Sequence, residues 1–536
     1  MKRKRVLKSS SSHSRLLLFG IAGILLITAI AYIPAIFNAF VWDDNVFIIE
    51  SPIMNSPNAL YRYWLTTDSP DYYPLVYTLF WIEHQIWGKN PIPYHIVSIF
   101  LHALASVLAW LVLRRLRIPG SWFAALIFAV HPVNVESVAW IFQQRTTMPM
   151  VFSLLTILAY LRFAVEGKAR WYISALITFT LGLLSKTSVV MMPLVLLGCI
   201  WWESGKVERR DIIRSIPFFV LAIAFGLVTA WVQSHRAIGE EVVRADNFCG
   251  RLAGAGWAVW FYLYKALMPS NLCFVYPRWN IDSSSVVSYI PTLAVFMCFW
   301  ILWRYRRSWG RPLLMGFGYF VVTLLPVLGF LDIYFMRYSL VADHWQYISI
   351  LGIIALVVGV IASFANRAGY AGKLICGIIG VFVVSLFMVL SWNQEKIYKN
   401  EETLWTDTIR KNPNCWMAHN NLGRVLADKG RTKEAISHFK AVLQIKPDHV
   451  NAHFNIGVLM GEQGNLDVEI AEYREALKIK PDFADAHNNL AVALYYKGKY
   501  AEAWREVELC RKYGGKPNPT FIEALARKMP RKAVLK

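Results

Sequence analysis

The sequence predicts an all-α protein in which a polytopic membrane bundle is followed by an α-solenoid of helical repeats. Three observations lead to this fold class. Of the 536 residues, 56% are hydrophobic and only 17% are charged, and the mean hydropathy is +0.38. Long uncharged segments recur up to residue 392, whereas the chain beyond it is charged and repeats a residue pattern every 34 positions. Soluble domains rarely have such a composition, so most of the chain is predicted to lie in a bilayer.

The first apolar segment, residues 16–42, follows a basic stretch at residues 1–15. It is too long for the core of a signal peptide and is predicted to be a retained membrane anchor. The later apolar segments include several that are short for a complete span, which indicates tilted or broken helices. They lie at residues 94–113, 119–141, 147–161, 171–184, 187–202, 215–233, 251–268, 286–303, 312–330, 345–364 and 374–392.

The connections between these segments carry an asymmetric charge. Alternate connections fall on opposite sides of the membrane. The six on the side of residues 1–15, counting that segment, hold 22 Lys and Arg residues, whereas those on the opposite side hold 10. Because basic connections stay in the cytoplasm, residues 1–15 are predicted to be cytoplasmic. Segments 215–233 and 286–303 then cross in opposite directions, so segment 251–268 between them is predicted to be re-entrant or interfacial. The result is about 11 spans and an extracytoplasmic C-terminus.

The repeats begin at Pro413, and Pro447 and Pro481 follow at intervals of 34 residues. This period is typical of tetratricopeptide (TPR) helix pairs, and three of them are enough to form a stacked core. The predicted domains follow from these borders. They are a basic N-terminus (1–15), a membrane domain (16–392) with its first extracytoplasmic loop at 37–93, a linker helix (393–412), three TPR repeats (413–514), and a capping helix with a tail (515–536).

The net charge of +21 sits mostly in short runs between apolar segments, which indicates membrane orientation rather than nucleic-acid binding. The seven Cys show no CxxC and no metal-ligand spacing, so neither a disulfide framework nor a zinc site is predicted. No P-loop, dinucleotide fingerprint or Ser nucleophile elbow occurs. An ATP-driven pump or a redox enzyme with a soluble cofactor is therefore not expected, no required cofactor is predicted, and a divalent metal stays open.

Two adjacent carboxylates, Asp43 and Asp44, follow the first apolar segment. Partial desolvation at the end of a membrane helix raises the pKa of a carboxyl group toward the range of a general base. Asp43 and Asp44 are therefore candidate catalytic residues. The alternative is that the pair only ends the span at the water interface.

Further ionisable residues lie within or next to the apolar segments. Placing such a side chain inside a bilayer costs free energy unless it faces a cavity or a partner. His131 and Glu136 are predicted to face a polar cavity, the alternative being a structural contact between helices. Lys186, at the tip of the third hairpin, is a candidate phosphate ligand, although a snorkelling lysine has the same sequence signature. Arg337 and His344 are candidate ligands of an anionic head group, with Asp343 orienting one of them. A plain interfacial belt of Tyr and Trp is the alternative for this last segment.

Several segments together resemble one family. They are Trp42-Asp43-Asp44, the run from His131 to Trp140, the Leu-Leu-Ser-Lys-Thr turn around Lys186, the Tyr276-Pro277 loop, the run from Ala342 to Tyr347, and the 34-residue repeats. In this order they resemble the GT-C fold glycosyltransferases with C-terminal TPR repeats, similar to the transmembrane-and-TPR protein O-mannosyltransferases of animals and their prokaryotic relatives. The resemblance covers nearly the whole chain.

The resemblance implies transfer of a sugar from a polyprenyl-phosphate carrier to Ser or Thr hydroxyls of proteins outside the cytoplasm. It places the catalytic acidic pair at Asp43 and Asp44. A departing lipid phosphate needs positive charge nearby. The candidates are Arg145, Lys186, Arg337 and His344. Two departures from the family pattern stand out, because His344 replaces an arginine and Thr187 replaces a glutamate.

The repeats are predicted to bind the acceptor polypeptide in a concave groove. Asn side chains both donate and accept hydrogen bonds, so they can hold an extended backbone without a strict sequence requirement. The candidate groove residues are Asn420, Asn421, Asn455, Asn488 and Asn489. For Asn421, Asn455 and Asn489, which share one phase of the repeat, the alternative is a contact within the repeat.

Two other functions were weighed. A lipid-glycan ligase or polymerase predicts catalytic Arg and His in a large loop between late spans, but the late loop here has only about 14 residues. A non-enzymatic TPR scaffold needs one anchoring span rather than eleven. The expected partners are a polyprenyl-phosphate-linked sugar, an acceptor protein and membrane lipids, with no nucleic acid. The predicted location is the plasma (inner) membrane with a periplasmic TPR domain, the endoplasmic reticulum membrane being the alternative.

Overall fold

The computed structural model describes residues 2–239 and 242–531, with side chains from residue 15 onward. Met1 and the predicted tail after residue 531 lie outside the described residues. The chain forms two compact units, Met1–Leu404 and Trp405–Lys536. All regular elements in the described part of the chain are helices, which confirms the predicted all-α class. The borders of the predicted domains stay predictions.

The first unit contains the apolar helices. Their bounds are α1 (Lys2–Ala31), α2 (Ala59–Leu65), α3 (Pro74–Trp87), α4 (Pro91–Arg115), α5 (Ser121–Ala129), α6 (Val135–Ala139), α7 (Gln144–Glu166), α8 (Ala169–Ser185), α9 (Met192–Ser204), α10 (Arg209–Val232), α11 (Phe248–Leu267), α12 (Ile290–Arg304), α13 (Gly310–Leu324), α14 (Ile350–Arg367) and α15 (Gly369–Glu395). Helix α16 (Glu401–Lys411) follows α15.

Eight helical stretches in the described residues are long and apolar enough to cross a membrane, or nine if the bent pair α5 and Pro132–Ala139 is one span. This is fewer than the eleven spans predicted. Each predicted span corresponds to a helix. Helix α8, Ala169–Ser185, is shorter than the roughly 20 residues that a perpendicular crossing needs, and α1 has described side chains only over its apolar part, Arg15–Ala31. Helix α11, predicted to be re-entrant or interfacial, is not among the eight.

Glycines allow α13 and α14 to approach each other closely. A Cβ atom added at Gly352 would lie 2.6 Å from the Tyr319 ring and 2.7 Å from the Gly316 carbonyl oxygen. At Gly316, an added Cβ would lie 2.8 Å from Leu356 Cβ. Small residues at such a crossing let helix backbones pack tightly in lipid, where apolar burial alone gives little gain.

The second unit consists of paired helices in register with the 34-residue repeat. The pairs are α17 (Trp416–Asp428) with α18 (Thr432–Ile445), α19 (Val450–Glu462) with α20 (Leu466–Ile479), and α21 (Ala484–Tyr496) with α22 (Tyr500–Lys512). Gly423 lies against Phe439 and Gly457 against Tyr473, so each small residue accommodates an aromatic ring of the partner helix. The last helix, α23 (Pro519–Lys528), buries Leu525 in the terminal core.

A histidine recurs in the first helix of every repeat and contacts the second helix. His453 bonds Glu472 at 2.7 Å and His487 bonds Glu506 at 2.5 Å. In the first repeat the corresponding partner is another histidine, because His419 Nδ1 lies 2.9 Å from His438 Nδ1. Burial lowers the pKa of both His419 and His438. The first repeat therefore lacks the histidine–carboxylate contact of the other two repeats.

We expect the first repeat to be destabilised in acid. A histidine whose pKa is lowered by folding contributes stability above its unfolded pKa of about 6.5, and that stability is lost as the pH falls below this value. Amide exchange over residues 416–445 should therefore accelerate about fivefold, or roughly 1 kcal/mol, between pH 7.5 and pH 5.5 after correction for intrinsic rates. His438→Glu should remove the acceleration and Glu472→His should introduce it into the second repeat. Equal protection of the wild-type first repeat at both pH values would contradict the prediction.

Candidate active site

The acidic pair lies in a tight turn after the first apolar helix. Trp42 in this turn has a positive φ of 49°, a conformation that is uncommon for residues other than glycine. Asp44 is fully buried, and its two carboxylate oxygens accept hydrogen bonds from Val41 N at 3.0 Å and from Phe142 N at 2.7 Å. This carboxylate therefore joins the turn to the segment that precedes α7.

Glu401, at the start of α16, supports the same turn from a distant part of the chain. One of its carboxylate oxygens accepts a hydrogen bond from Trp42 N at 2.9 Å and another from the Asn45 side chain at 2.8 Å. The turn is thus held on both sides of Asp43, by Glu401 and by the buried Asp44.

Asp43, in contrast, faces a cavity, and its side chain is 16% exposed. Arg145 lies between two carboxylates, with Nη2 at 4.0 Å from Asp43 and Nη1 at 3.5 Å from Asp71. Burial raises the pKa of Asp43 to about 7, although the Arg145 charge opposes the shift. A carboxyl group with this pKa exists in both protonation states near neutral pH and can accept a proton.

Lys186 brings a second cation to the same cavity. It follows α8, and its Nζ donates to Thr146 Oγ1 at 3.0 Å. Burial, followed by the nearby Arg145 charge, lowers the pKa of Lys186 to about 7. An arriving phosphate stabilises the charged ammonium, so anion binding and protonation of this lysine are linked.

Glu136 and His344 form a buried pair beside these cations, with Oε1 and Nδ1 2.7 Å apart. The sequence-based expectation was that Asp343 orients His344 or Arg337. In the structure Glu136 contacts His344, whereas Asp343 accepts a hydrogen bond from the Tyr276 hydroxyl at 3.1 Å. Burial, with Lys186 and Arg145 nearby, holds the pKa of His344 well below its usual value. The His344 imidazole also lines the cavity.

The cavity has a volume of about 690 Å³. Its charged and hydrogen-bonding lining includes Asp43, Asp71, Arg145, Lys186, Thr187 and His344. Further along, α10 and the residues that follow it, together with the segment after α13, contribute both apolar and polar residues. The apolar ones include Gly226, Ala230, Pro326, Val327, Leu331 and Ile333, and the polar ones include Thr229, Gln233, Ser234, Arg236 and Asp332. The cavity thus offers cations for an anionic group and apolar surface beside them.

Some residues predicted to belong to the site lie elsewhere. Both ring nitrogens of His131 are bonded to backbone atoms, Nε2 to the Ala266 carbonyl oxygen and Nδ1 to Val133 N. Arg337 donates to the Tyr334 hydroxyl at 2.7 Å and stacks on that ring, and it is not among the described residues that line the cavity. These contacts hold the local structure around the site.

The Asn residues predicted to bind the acceptor belong to the second unit. Asn420 donates to Asn421 and Asn488 donates to Asn489, which also bonds the Tyr473 hydroxyl. These asparagines and Asn455 are half-buried. Their role in acceptor binding stays a prediction.

Two acidic residues of the first unit were missed by sequence reasoning. Asp71 lies in a long loop that also holds Asp68, and no spacing relates it to Arg145. Glu401 is an acid at a helix start, a position where carboxylates are common because of the helix dipole. Among the described residues, no group of three or more His, Cys, Asp or Glu is placed to hold a metal ion.

The comparisons with known proteins agree with the predicted combination of domains. Residues 68–233 match the family model described as dolichyl-phosphate-mannose-protein mannosyltransferase. Residues 423–464 and 462–498 match the TPR repeat model. The predicted resemblance, a glycosyltransferase domain of this type followed by C-terminal TPR repeats, is therefore confirmed.

Curated relatives carry names of the same kind. Protein O-mannosyl-transferase F38B6.6 of Caenorhabditis elegans is 23% identical over 462 residues, which cover 80% of this chain and 64% of that protein. Protein O-mannosyl-transferases TMTC1 and TMTC3 of Homo sapiens are 23% and 22% identical, over 77% and 78% of this chain and 53% and 50% of their own lengths. The chain thus spans about half to two-thirds of the length of these relatives. A solved structure, that of MamA, aligns with 23% of the chain at 19% identity and a TM-score of 0.21.

Proposed function

We propose that this chain is an integral-membrane glycosyltransferase that moves a sugar from a polyprenyl-phosphate carrier to Ser or Thr hydroxyls of extracytoplasmic proteins. One observation carries the proposal. A single cavity holds a carboxylate, Asp43, beside two cations, Arg145 and Lys186, and its wall also includes apolar residues of α10 and of the segment after α13. The relatives are named protein O-mannosyl-transferases, which makes mannose the first sugar to test.

The lining of the cavity offers contacts for both parts of such a donor. The polyprenyl chain is apolar and fits against the apolar residues of α10 and of the segment after α13. Its phosphate fits between Arg145 and Lys186, because a guanidinium and an ammonium together neutralise a phosphate that gains charge as the sugar departs. His344, fixed through Nδ1 by Glu136, offers its other ring nitrogen for a hydrogen bond to the donor.

In the proposed reaction the acceptor hydroxyl oxygen attacks the anomeric carbon of the sugar. A new bond forms between these atoms while the bond from the anomeric carbon to the phosphate oxygen breaks. The electron pair of the broken bond remains on the phosphate, near Arg145 and Lys186. The hydroxyl proton passes to the Asp43 carboxylate. With a pKa of about 7, this carboxylate is partly ionised at neutral pH and more basic than an ordinary aspartate.

Asp44 has a different role in this proposal. Its two oxygens are already occupied by backbone N–H groups, so it holds the turn in which Asp43 is presented. This division of labour supports Asp43, rather than Asp44, as the base in this proposal.

The TPR unit, in the same proposal, binds the acceptor polypeptide through its asparagines. Following the charge asymmetry of the connections, residues 1–15 lie in the cytoplasm and the TPR unit lies outside it, in a prokaryotic plasma membrane or alternatively in the endoplasmic reticulum.

A donor panel tests the function directly. Purified full-length protein in nanodiscs is given polyprenyl-phosphate-linked mannose, glucose, galactose or N-acetylglucosamine together with envelope proteins, and modified Ser or Thr residues are mapped by mass spectrometry. We expect one donor to support O-glycosylation that Asp43→Asn abolishes. Sugar transfer to a lipid-linked glycan instead of protein would support the ligase or polymerase alternative. Failure of all donors with both acceptor classes would contradict the proposal.

Removing the repeats should separate chemistry from acceptor binding. Deletion of residues 413–536 is expected to leave transfer to a short Ser/Thr peptide at high concentration within about twofold of wild type. Transfer to a full-length protein acceptor should fall by about tenfold or more, because the tethered binding site that raises the local acceptor concentration is lost. Initial rates with both acceptors, measured on correctly inserted protein, provide the test. If the intact and the truncated protein modify the protein acceptor at equal rates, the repeats do not bind this acceptor and serve another partner.

A further inference from the structure

Two further cavities lie at the end of the helix bundle opposite Asp43. Helix α7 gives the distance, because Arg145 near its start lines the candidate active site and Arg162 lines one of these cavities. Arg162 is 17 residues after Arg145, and at a rise of about 1.5 Å per residue the two positions lie roughly 26 Å apart along the helix. The two cavities share Leu116, Trp202 and Pro312 in their walls. We treat them as one crevice with a polar mouth and an apolar chamber.

The polar mouth has a volume of about 1110 Å³ and is rich in arginine. Its charged lining consists of Arg115, Arg117, Arg162, Arg311, Glu166 and Glu203. The two glutamates are already paired, Glu203 with Arg115 and Glu166 with Arg162.

Two arginines of the mouth are left without a carboxylate. Among the described residues, neither Arg117 nor Arg311 forms an ion pair, and the Arg311 guanidinium donates only to the carbonyl oxygens of Trp201 and Trp202. Arg117 is exposed. The mouth therefore presents two positive charges that a ligand can neutralise.

The apolar chamber has a volume of about 640 Å³. Its walls come from α4, α7, α9, α13 and α14, and the side chains include Leu154, Val195, Met315, Leu351 and Val360. Gly316, Gly352 and Gly359 also line it, so the absence of side chains at these positions helps to leave the space open. Phe364 and Trp309, which are 64% and 54% exposed, lie at its outer edge and connect the chamber to the surroundings of the bundle.

We propose that this crevice binds an anionic glycerophospholipid, with the phosphate head group in the mouth and an acyl chain in the chamber. Arginine binds phosphate by paired hydrogen bonds, and Arg117 and Arg311 have the charge to do so. Tryptophans such as Trp202 and Trp309 are favoured where a lipid changes from head group to acyl chain. The charge of the mouth selects an anionic head group over a zwitterionic one. This site is separate from the proposed donor site and does not depend on it.

Native mass spectrometry of the detergent-purified full-length protein tests the site, with phosphatidylglycerol, phosphatidylcholine and a polyprenyl monophosphate as probes. We expect phosphatidylglycerol to be retained about tenfold better than phosphatidylcholine. Arg117→Gln, at an exposed position, and the double variant with Arg311→Gln should lower phosphatidylglycerol occupancy progressively, by roughly tenfold in the double variant. Val360→Trp should also lower it by filling the chamber without changing charge. Arg307→Gln is the matched control, because Arg307 is exposed but does not line either cavity.

Three outcomes would overturn the proposal. The first is equal retention of the anionic and the zwitterionic phospholipid. The second is an equal loss in Arg307→Gln and Arg117→Gln, which indicates a general surface effect. The third is preferential binding of the polyprenyl monophosphate that Arg117→Gln weakens, since the crevice would then bind the carrier lipid. Val360→Trp and Arg117→Gln act on different parts of the crevice, so the test stands even if the Arg311→Gln protein fails to fold.

Discussion

Asp43→Asn is expected to lower the rate of sugar transfer by about 10²- to 10⁴-fold, the usual contribution of a general base. The amide has the same shape as the carboxylate but cannot accept the hydroxyl proton. Donor binding should change little, because Arg145 and Lys186 remain in place. Single-turnover rates with saturating donor measure the effect on chemistry directly.

The pH dependence provides an independent reading of the same residue. Burial raises the pKa of Asp43 to about 7, and the base must be ionised to work. The wild-type single-turnover rate at saturating donor should therefore rise with pH up to about 7 and then level off. Ionisation of this carboxyl is harder in the folded protein than in the unfolded chain. Asp43→Asn removes that cost, so the variant should be at least as thermally stable as wild type at pH 8.

Asp44→Asn is the matched control for Asp43→Asn. Its two oxygens accept hydrogen bonds from Val41 N and Phe142 N, and an amide can accept only one of them. This variant should therefore lose thermal stability, by about 1–3 kcal/mol, as well as activity. Full activity in Asp43→Asn would show that Asp43 is not the base. Unchanged stability in Asp44→Asn, together with a larger loss of rate than in Asp43→Asn, would identify Asp44 as the base.

Lys186→Met is expected to weaken the donor about 10- to 100-fold, the range expected for the loss of one charge-assisted hydrogen bond. Methionine keeps the apolar stem volume and deletes the charge. The effect should appear in KM for the polyprenyl-phosphate sugar and not in KM for the acceptor. Lys89→Met, at an exposed lysine outside the cavity, is the control. Equal losses for both substrates would indicate a folding defect instead of a phosphate contact.

The same lysine should shape the alkaline side of the pH profile. Since the pKa of Lys186 is lowered to about 7, the free enzyme loses this charge above that pH, and kcat/KM for the donor should then fall. Ionisation of Asp43 gives the same kcat/KM a rising acid limb. The pH profile of kcat/KM for the donor should therefore be a bell centred near neutral pH. Lys186→Met should flatten the alkaline limb only. An alkaline limb that persists in this variant would assign it to another group.

The helices and the repeats could be predicted because they depend on local and periodic signals. Apolar length and basic connections located each membrane segment, and the 34-residue spacing of Pro413, Pro447 and Pro481 located the TPR pairs. The number of complete spans was harder to predict. Helix length within an apolar segment depends on where neighbours and caps end the helix, which is why residues 171–184 became part of a helix of only 17 residues, Ala169–Ser185.

The site could be predicted only as a set of candidates. Asp43 and Asp44 are indistinguishable in the sequence, and their different environments follow from the positive φ of Trp42 and from contacts made by Phe142 and Glu401. For the same reason Glu136 could be identified as buried but not as the partner of His344, 208 residues away. Partners so distant are determined by how the helices pack, and no spacing in the chain encodes them.

The contact between Glu401 and the acidic turn also sets an order of events during synthesis. The Trp42 backbone is made 359 residues before the carboxylate that accepts its hydrogen bond. At a translation rate of about 5–20 residues per second, the ribosome needs roughly 20 to 70 s to reach Glu401 after Trp42. Throughout that interval the turn that holds Asp43 lacks its hydrogen bonds to Glu401. The last apolar helix must enter the bilayer before Glu401 can make them. Under the proposed function, we therefore expect transfer only from chains whose last apolar helix has inserted and whose Glu401 has reached the acidic turn.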